Sequence, residues 1–437
     1  MGSRVQFAFW RALALASAAG FACGGSTVAK DANGFANEAG TFADADALLE
    51  GTACEVSPSP SPSDDATSTI QNCIDRMGAI GGGTVLLQAG DYWLNTDHLR
   101  FISGQHDYVH LKGAGTQTVI HLGAGLPRAA VLVGSDAQDL SVACPVVDTA
   151  HAVTSVEIDA IHIVGNLGNP LDCCPVYGAD GQTQSPSWLA CETYSPGSNL
   201  TRNGITIRCA LDVRITDVTI ENTNSGGIVA DHAQGLVVDG AQIDSPLVDC
   251  FASNYTEGTV VRNVTCNSPG WAGFNGDPAT HLTLEGNTVI GSGTQYQCPQ
   301  SATWEMPGIY LAGVADSTIT DNIIVGSSGR GIDLHGSSRN LLARNHIEQS
   351  TKVGIVFDVE GDCAGGSNNN VASENVIVDG RDIPIWAVCP SLGNTASANI
   401  CTGNTNDASL ATINPDCASL CQSPADVLVT TGGCGGP

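Results

Sequence analysis

Glycine recurs along the second half of this chain at a fixed interval. Gly204, Gly227, Gly273, Gly308, Gly331 and Gly354 are separated by 23, 46, 35, 23 and 23 residues, so the period is 23, with one skipped member, filled by Cys250, and one 12-residue insertion. A repeat of this length is a single supersecondary unit that buries its apolar side only against the next copy. The column after the glycines is Ile205, Ile228, Phe251, Phe274, Ile309, Ile332 and Ile355. Two more apolar columns share its register: Ile215, Val238, Val261, Leu284, Ile319, Leu342, and Ile220, Ile243, Cys266, Val289, Ile324, Ile347. Three inward positions per 23 residues describe a coil with three faces, stacked so that equivalent residues lie about 4.8 Å apart. The expected fold is all-β: a single-stranded right-handed parallel β-helix, a solenoid of 23-residue rungs.

Composition agrees. Only 14% of residues are charged and 52 are Gly, which suits short strands and tight turns. The net charge of −28 repels nucleic acid and anionic lipid, and it disfavours a polyuronate unless Ca²⁺ or a local Arg inverts the sign inside a cleft. Residues 1–23 read as an export signal, with Arg4 and Arg11 before the apolar run Ala12–Ala22. This stretch resembles a bacterial lipoprotein signal, in which Cys23 would carry the lipid, although Gly20 stands where Leu is usual; ordinary cleavage near Ala18 or Ala22 is the alternative. Removing Cys23 from 17 cysteines leaves 16, an even number suited to disulfides in an oxidising compartment. Secretion or envelope anchoring is therefore expected, with membrane contact only through Cys23.

Residues 24–63, ending in SPSPSPS, read as a tether, and Asp64 or Asp65 then caps a short helix whose Ile70, Cys73, Ile74 and Met77 fall on one face. The β-helix is expected over 64–400, with a cysteine-rich loop at 141–203 and a disulfide-stapled end at 401–437. The segments GGGTVLLQAGDYWL and GAGTQTVIHL resemble the N-terminal part of the pectate-lyase superfamily, where a cap helix precedes such a stretch; the match spans about 60 residues. The resemblance implies this fold and a substrate lying along one outer sheet face. It does not choose among lyases, hydrolases and non-catalytic rods. The ladder Asn287, Asn322, Asn345 is expected to be structural, at a turn that tolerates left-handed backbone.

Alternation along the Gly-Ile strand turns two columns outward. One is Thr206, Val229, Ala252, Asn275, Tyr310, Asp333, Val356; the other is Arg208, Asp231, Asn254, Asp277, Ala312, His335, Asp358. The second is the most polar line in the repeat. Asp231, Asp277 and Asp358 are candidate ligands for Ca²⁺, which takes oxygen donors. Asp333, His335 and Arg330 are candidates for general acid, general base and charge stabiliser on a sugar. Tyr310, Asn254 and Trp304, the last in the insertion, are candidate substrate contacts. The bland alternative is that outward residues on an acidic rod are simply solvated.

Asp249 lies in LVDCFASN, which resembles the DDC-x-A-x-N strand of polygalacturonase-type hydrolases, but Val248 replaces the first Asp, and Gly226 and Ala272 stand where the family has Asp and His. An inverting hydrolase needs two placed carboxyl groups. GFNGDPATH (273–281) resembles the GFDPH segment of mannuronan C5-epimerases, interrupted by Asn275-Gly276 and with Ala279 for His. The expected function is an extracellular polysaccharide-acting enzyme, a lyase working by β-elimination on a uronate, with hydrolase or epimerase as sibling readings. The other class is a non-catalytic, glycan-binding surface rod. A monomer is expected.

Overall fold

A computed structural model of the protein describes residues 53–59, 61–123, 126, 129–134, 152–166, 176–177, 183–185, 203–294, 306–360, 365–387, 391 and 393–404. Each coil contributes one strand to each of three parallel sheets. The coil from Ile228 runs through Ile228–Gln234, Val237–Asp239 and Gln242–Asp244 before the next rung begins at Phe251. We number the sheets by the order in which the chain first enters them. Sheet 1 runs from Ala53–Val56 to Thr395–Ser397, sheet 2 from Gly90–Leu94 to Ile400–Thr402, and sheet 3 begins with Leu99–Phe101 and continues through the Gly-Ile strands. The chain is a right-handed parallel β-helix.

All three apolar columns point inward in the expected register. Ile205 pairs with Ile228 and Ile228 with Phe251 in sheet 3; Ile215 pairs with Val238 in sheet 1; Ile220 pairs with Ile243 in sheet 2. These side chains are fully or almost fully buried and form one continuous core.

That core explains the glycines. A Cβ on Gly204, Gly227, Gly308, Gly331 or Gly354 would come within 2.3 to 2.6 Å of the Cγ2 of the Ile that closes the same coil in sheet 2. Where the chain carries Cys250 instead of Gly, the facing Ile is replaced by Cys266, and the two form a disulfide. The crowded pair has become a bond.

Thr67–Ala79 forms helix α1, and Ile70, Cys73, Ile74 and Met77 are buried against the first strands of sheets 1 and 3. Asp65 lies at its start, accepting from the Thr67 N–H and hydroxyl, the Thr96 hydroxyl and the Asn95 N–H. Burial opposes its ionisation, but these four bonds bring its pKa down to about 2.

The structure moves three expected boundaries. The coil starts at Ala53, inside the expected tether: Ala53–Val56 pairs with Gly83–Leu87, Cys54 is bonded to Cys73 of α1, and Ser59 donates its N–H to Asp91 O at 2.8 Å. Four residues are too few to display a period. Within the expected loop 141–203, Glu157–Asp159 and His162–Val164 are ordinary rung strands, with Ile158 and Ile163 continuing the inward columns above Ile215 and Ile220. The coil also extends past 400, because Cys401 occupies the inward position paired with Ile377 and is disulfide-bonded. The signal with Cys23, most of the loop, the insertion with Trp304 and the end beyond 404 lie outside the described residues.

The asparagine ladder is longer than expected. Asn287, Asn322, Asn345, Asn375 and Asn399 are all buried, each of the first four donating its Nδ2 to the Oδ1 of the next at 2.9 to 3.0 Å. The left-handed position is one residue earlier, at Gly286, Asp321, Arg344 and Glu374. The asparagines therefore serve the amide ladder and not the turn's backbone.

Candidate functional site

The outward columns of sheet 3 hold the register expected from the repeat. Tyr310 pairs with Asp333 and Asp333 with Val356, while Ala312 pairs with His335 and His335 with Asp358. Asp333 and His335 thus share one face of the strand Ile332–His335, Asp358 lies on the next rung, and Arg330 sits at the turn entering the strand. The four side chains meet. Arg330 Nη1 donates to Asp333 Oδ2 at 2.7 Å and to Asp358 Oδ2 at 2.8 Å, and His335 Nε2 lies 3.0 Å from Asp333 Oδ1.

Every polar contact of the imidazole runs through Nε2, which lies 3.2 Å from Arg330 Nη1 and pairs with Asp333 Oδ1 when the ring is protonated. Nδ1 makes no contact among the described residues, so it is the ring nitrogen left open to a substrate proton.

Electrostatics follow from the contacts. Burial opposes the charge on His335, but the Asp333 carboxylate beside it, with a smaller contribution from Asp358, raises its pKa above the ordinary value. Asp333 is buried, which would raise its pKa, yet Arg330 and His335 hold it below the usual carboxylate range. Burial likewise opposes the charge on Arg330, and the two carboxylates outweigh that and strengthen its hold on the proton.

Arg330 is not exhausted by these bonds. Among the described residues its contacts run through Nη1 alone, so the Nε–Nη2 edge of the guanidinium is uncommitted, and the side chain is 23% exposed. That edge is the one that receives a carboxylate through two parallel N–H bonds. Beside His335 stands an aromatic wall: the Tyr310 ring lies 5.1 Å from the His335 ring and 5.1 Å from the Trp271 ring.

The other sequence candidates are elsewhere. Asp249 is buried and accepts from the Ala272 N–H at 3.1 Å and Asn275 Nδ2 at 3.2 Å; it lies three rungs from Arg330, roughly 14 Å along the stack. Asn254 is likewise three rungs from His335. The expected calcium set Asp231, Asp277 and Asp358 does not gather round one ion. Two rungs separate Asp231 from Asp277 and three separate Asp277 from Asp358, roughly 10 and 14 Å between backbones, and among the described residues Asp231 and Asp277 belong to no set of three converging ligand atoms. Asp231 instead engages Arg208 Nε at 3.3 Å and His232 Nδ1 at 2.8 Å.

Asp333, His335 and Asp358 do offer three ligand atoms within 4.8 Å of one another, a possible metal-binding arrangement. The donor set does not fit a metal as it stands, because Arg330 Nη1 already occupies the place between the two carboxylates. Sequence reasoning found all four members of this cluster but assigned Asp358 to a different group, and it passed over Trp271. Trp271 lies two positions before Gly273, outside the strand, where alternation assigns no direction.

The family model described as periplasmic copper-binding protein (NosD) matches residues 191–381. No curated protein sequence matches the chain. Among solved structures, the chain is similar to PfbA, a surface adhesin of Streptococcus pneumoniae, at 13% identity and a TM-score of 0.51, covering 80% of this chain and 91% of that one. It is also similar to a DFA-IIIase mutant from Arthrobacter chlorophenolicus A6, at 16% identity and a TM-score of 0.50, covering 86% and 92%. A third is the A-module of the Azotobacter vinelandii mannuronan C-5 epimerase AlgE4, at 17% identity and a TM-score of 0.49, covering 78% and 91%. The first two likenesses speak to the fold alone, which the three sheets and their register show independently: the chain is a right-handed parallel β-helix repeat protein.

Proposed function

We propose that the protein is an extracytoplasmic polysaccharide lyase that cleaves a uronate-containing glycan by β-elimination on the outer face of sheet 3. The observation that carries this reading is the uncommitted Nε–Nη2 edge of an arginine whose Nη1 is pinned by Asp333 and Asp358. A guanidinium held rigidly on one side and free on the other is a preorganised receptor for a carboxylate. Its open edge offers directed N–H donors to a carboxylate, although Asp333 and Asp358 offset the guanidinium's charge. The disulfides Cys54–Cys73 and Cys250–Cys266, with Cys209 and Cys401 also bonded, suit a compartment outside the cytoplasm.

In this reading Arg330 grips the uronate carboxylate and stabilises the charge that spreads onto it when C5 is deprotonated. Neutral His335 takes the C5 proton at Nδ1. The Tyr310 hydroxyl gives its proton to O4 as the C4–O4 bond breaks, the C4–C5 double bond forms, and Trp271 and Tyr310 back the sugar ring. Hydrolysis is less well served, since it calls for a protonated carboxyl group and Asp333 is held ionised. Return of a proton to the opposite face of C5, without loss of O4, would make the same site an epimerase.

The test is absorbance near 235 nm, where unsaturated uronides absorb, on a panel of polyuronates. We expect a rise that Arg330→Ala lowers by at least about a hundredfold in kcat/KM. Absence of a rise, with reducing ends released from neutral glycans, would overturn the reading in favour of a hydrolase.

A further inference from the structure

Arg330 and His335 lie towards the C-terminal part of sheet 3. A second feature of the same face lies towards its N-terminal part. His232 and Tyr255 occupy consecutive rungs at the corner immediately after the His335 column, and their rings stack at 4.8 Å with 19° between planes. Tyr255 is 49% exposed, so the pair does not fill the core.

The backbone makes the choice of residues notable. His232 and Tyr255 have φ of 51° and 52°, and the same corner is filled by Gly313 and Gly336 on later rungs, with φ of 64° and 56°. Left-handed backbone disfavours a residue with a Cβ, and Cys209 carries one at this corner on the preceding rung as well. The fold accepts glycine here, yet two rungs carry rings. The lower ring is also fixed: His232 Nδ1 is 2.8 Å from Asp231 Oδ1, and Asp231 Oδ2 is 3.3 Å from Nε of the buried Arg208. An exposed aromatic face lying on an immobilised imidazole is a platform with its orientation set in advance.

We propose that Tyr255, backed by His232, is a distal sugar-stacking subsite for the same polysaccharide chain that Arg330 holds at its reacting unit. The inference rests on the lyase reading for the identity of the sugar. Tyr255 lies three rungs from His335, roughly 14 Å along the stack. A pyranose ring in an extended chain is about as long as one rung is tall, so a ring about three units from the reacting one reaches Tyr255. The chemistry recognised is the apolar face of a pyranose, which stacks on a phenol ring whatever its carboxylates do. Asp231, the nearest carboxylate on that corner, is already paired to two basic side chains.

The experiment is calorimetric titration of the full chain, in the His335→Ala background so that ligand survives, with galacturonate and mannuronate oligomers of two and six units and with xylohexaose. We expect one six-unit uronate to bind about tenfold more tightly than its two-unit counterpart. Tyr255→Ala should remove that gain and leave two-unit affinity unchanged, and Tyr255→Trp should keep it. A length gain that survives Tyr255→Ala overturns the subsite while leaving the lyase reading intact. Tyr255-dependent binding of xylohexaose, with no uronate bound, sinks the uronate reading and sustains the platform. No binding of any of the oligomers overturns both.

Discussion

The asparagine ladder and the Arg330 cluster are both runs of polar groups buried in the same coil stack, and they differ in how completely they are satisfied. Asn322 gives its Nδ2 to Leu284 O and Asn345 Oδ1, while its Oδ1 receives the backbone N–H and the Nδ2 of Asn287. The same pattern repeats rung after rung, so the ladder offers an incoming ligand no free donor. Arg330 binds two carboxylates through one nitrogen and leaves its other edge open, and His335 keeps Nδ1 free of any hydrogen bond among the described residues. These atoms remain open to solvent, so a ligand can replace water there without breaking a bond inside the protein. The ladder is architecture, and in the proposed function the cluster is where the chemistry takes place.

Removing one member of each should have opposite consequences. His335→Ala should lower elimination by about a thousandfold, within the usual range for a general base, and shift the urea midpoint little. Asn322→Ala should do the reverse. It strands the Asn287 amide and N–H in a dry interior and should destabilise the rod by about 2–4 kcal/mol, with kcat/KM unchanged in the folded fraction. Urea titration and the 235 nm assay on both variants decide the matter; equal loss of activity in both would mean that the ladder too positions the site.

The pH dependence sharpens the contrast at smaller scale. His335 has a raised folded pKa, so its contribution to stability is fully present below the unfolded value near 6.5 and is lost as pH rises through the folded value. Asp333 and Asp65 have lowered pKa values, so their contributions are present above about 4 and are lost as pH falls. For Asp65 the loss extends down to about 2. Thermal melts should therefore show an alkaline decline that disappears in His335→Gln, and an acid decline made shallower by Asp65→Asn. Asparagine rungs do not titrate, so Asn322→Ala should lower the whole curve without changing its shape. An alkaline limb unchanged in His335→Gln would show that the imidazole is not charged in the folded cluster.

How much of this was legible follows from what a period specifies. A 23-residue repeat fixes which residue lies above which, so the inward columns, the outward columns and the proximity of Asp333 to His335 could all be read before any coordinates. The meeting of His335 with Asp358 was implicit in the same column. A period does not say how far down a column one ion can reach, and so Asp231 and Asp277 were grouped with Asp358 across distances no cation spans. Nor does it orient residues at corners: Trp271 and His232 depend on turn geometry that no alternation rule encodes, whereas the Arg208–Asp231 pair was implicit in the same outward column. The first rung at Ala53 and the strands at 157–164 escaped for a different reason, standing too far from the regular repeats to be aligned with them.

Metal should have little effect on the unaltered chain. Asp333, His335 and Asp358 would make a plausible set of donors for a divalent cation, and the matched family model is described as copper-binding. In the arrangement observed, Arg330 Nη1 stands 2.7 and 2.8 Å from the two carboxylate oxygens, which is where the ion would have to be. A fixed guanidinium and a divalent ion exclude each other there by charge as well as by volume. Exhaustive chelation should therefore leave the 235 nm rate of the unaltered chain unchanged, and titrated Cu²⁺ should produce no electron-spin signal from a nitrogen-and-oxygen-ligated site. Arg330→Ala vacates that place and leaves two carboxylates and an imidazole facing one another uncompensated, so this variant should acquire Cu²⁺ binding that the parent lacks. Metal binding by the parent but not by the variant would reverse the assignment and make Arg330 a partner of the ion instead of its substitute.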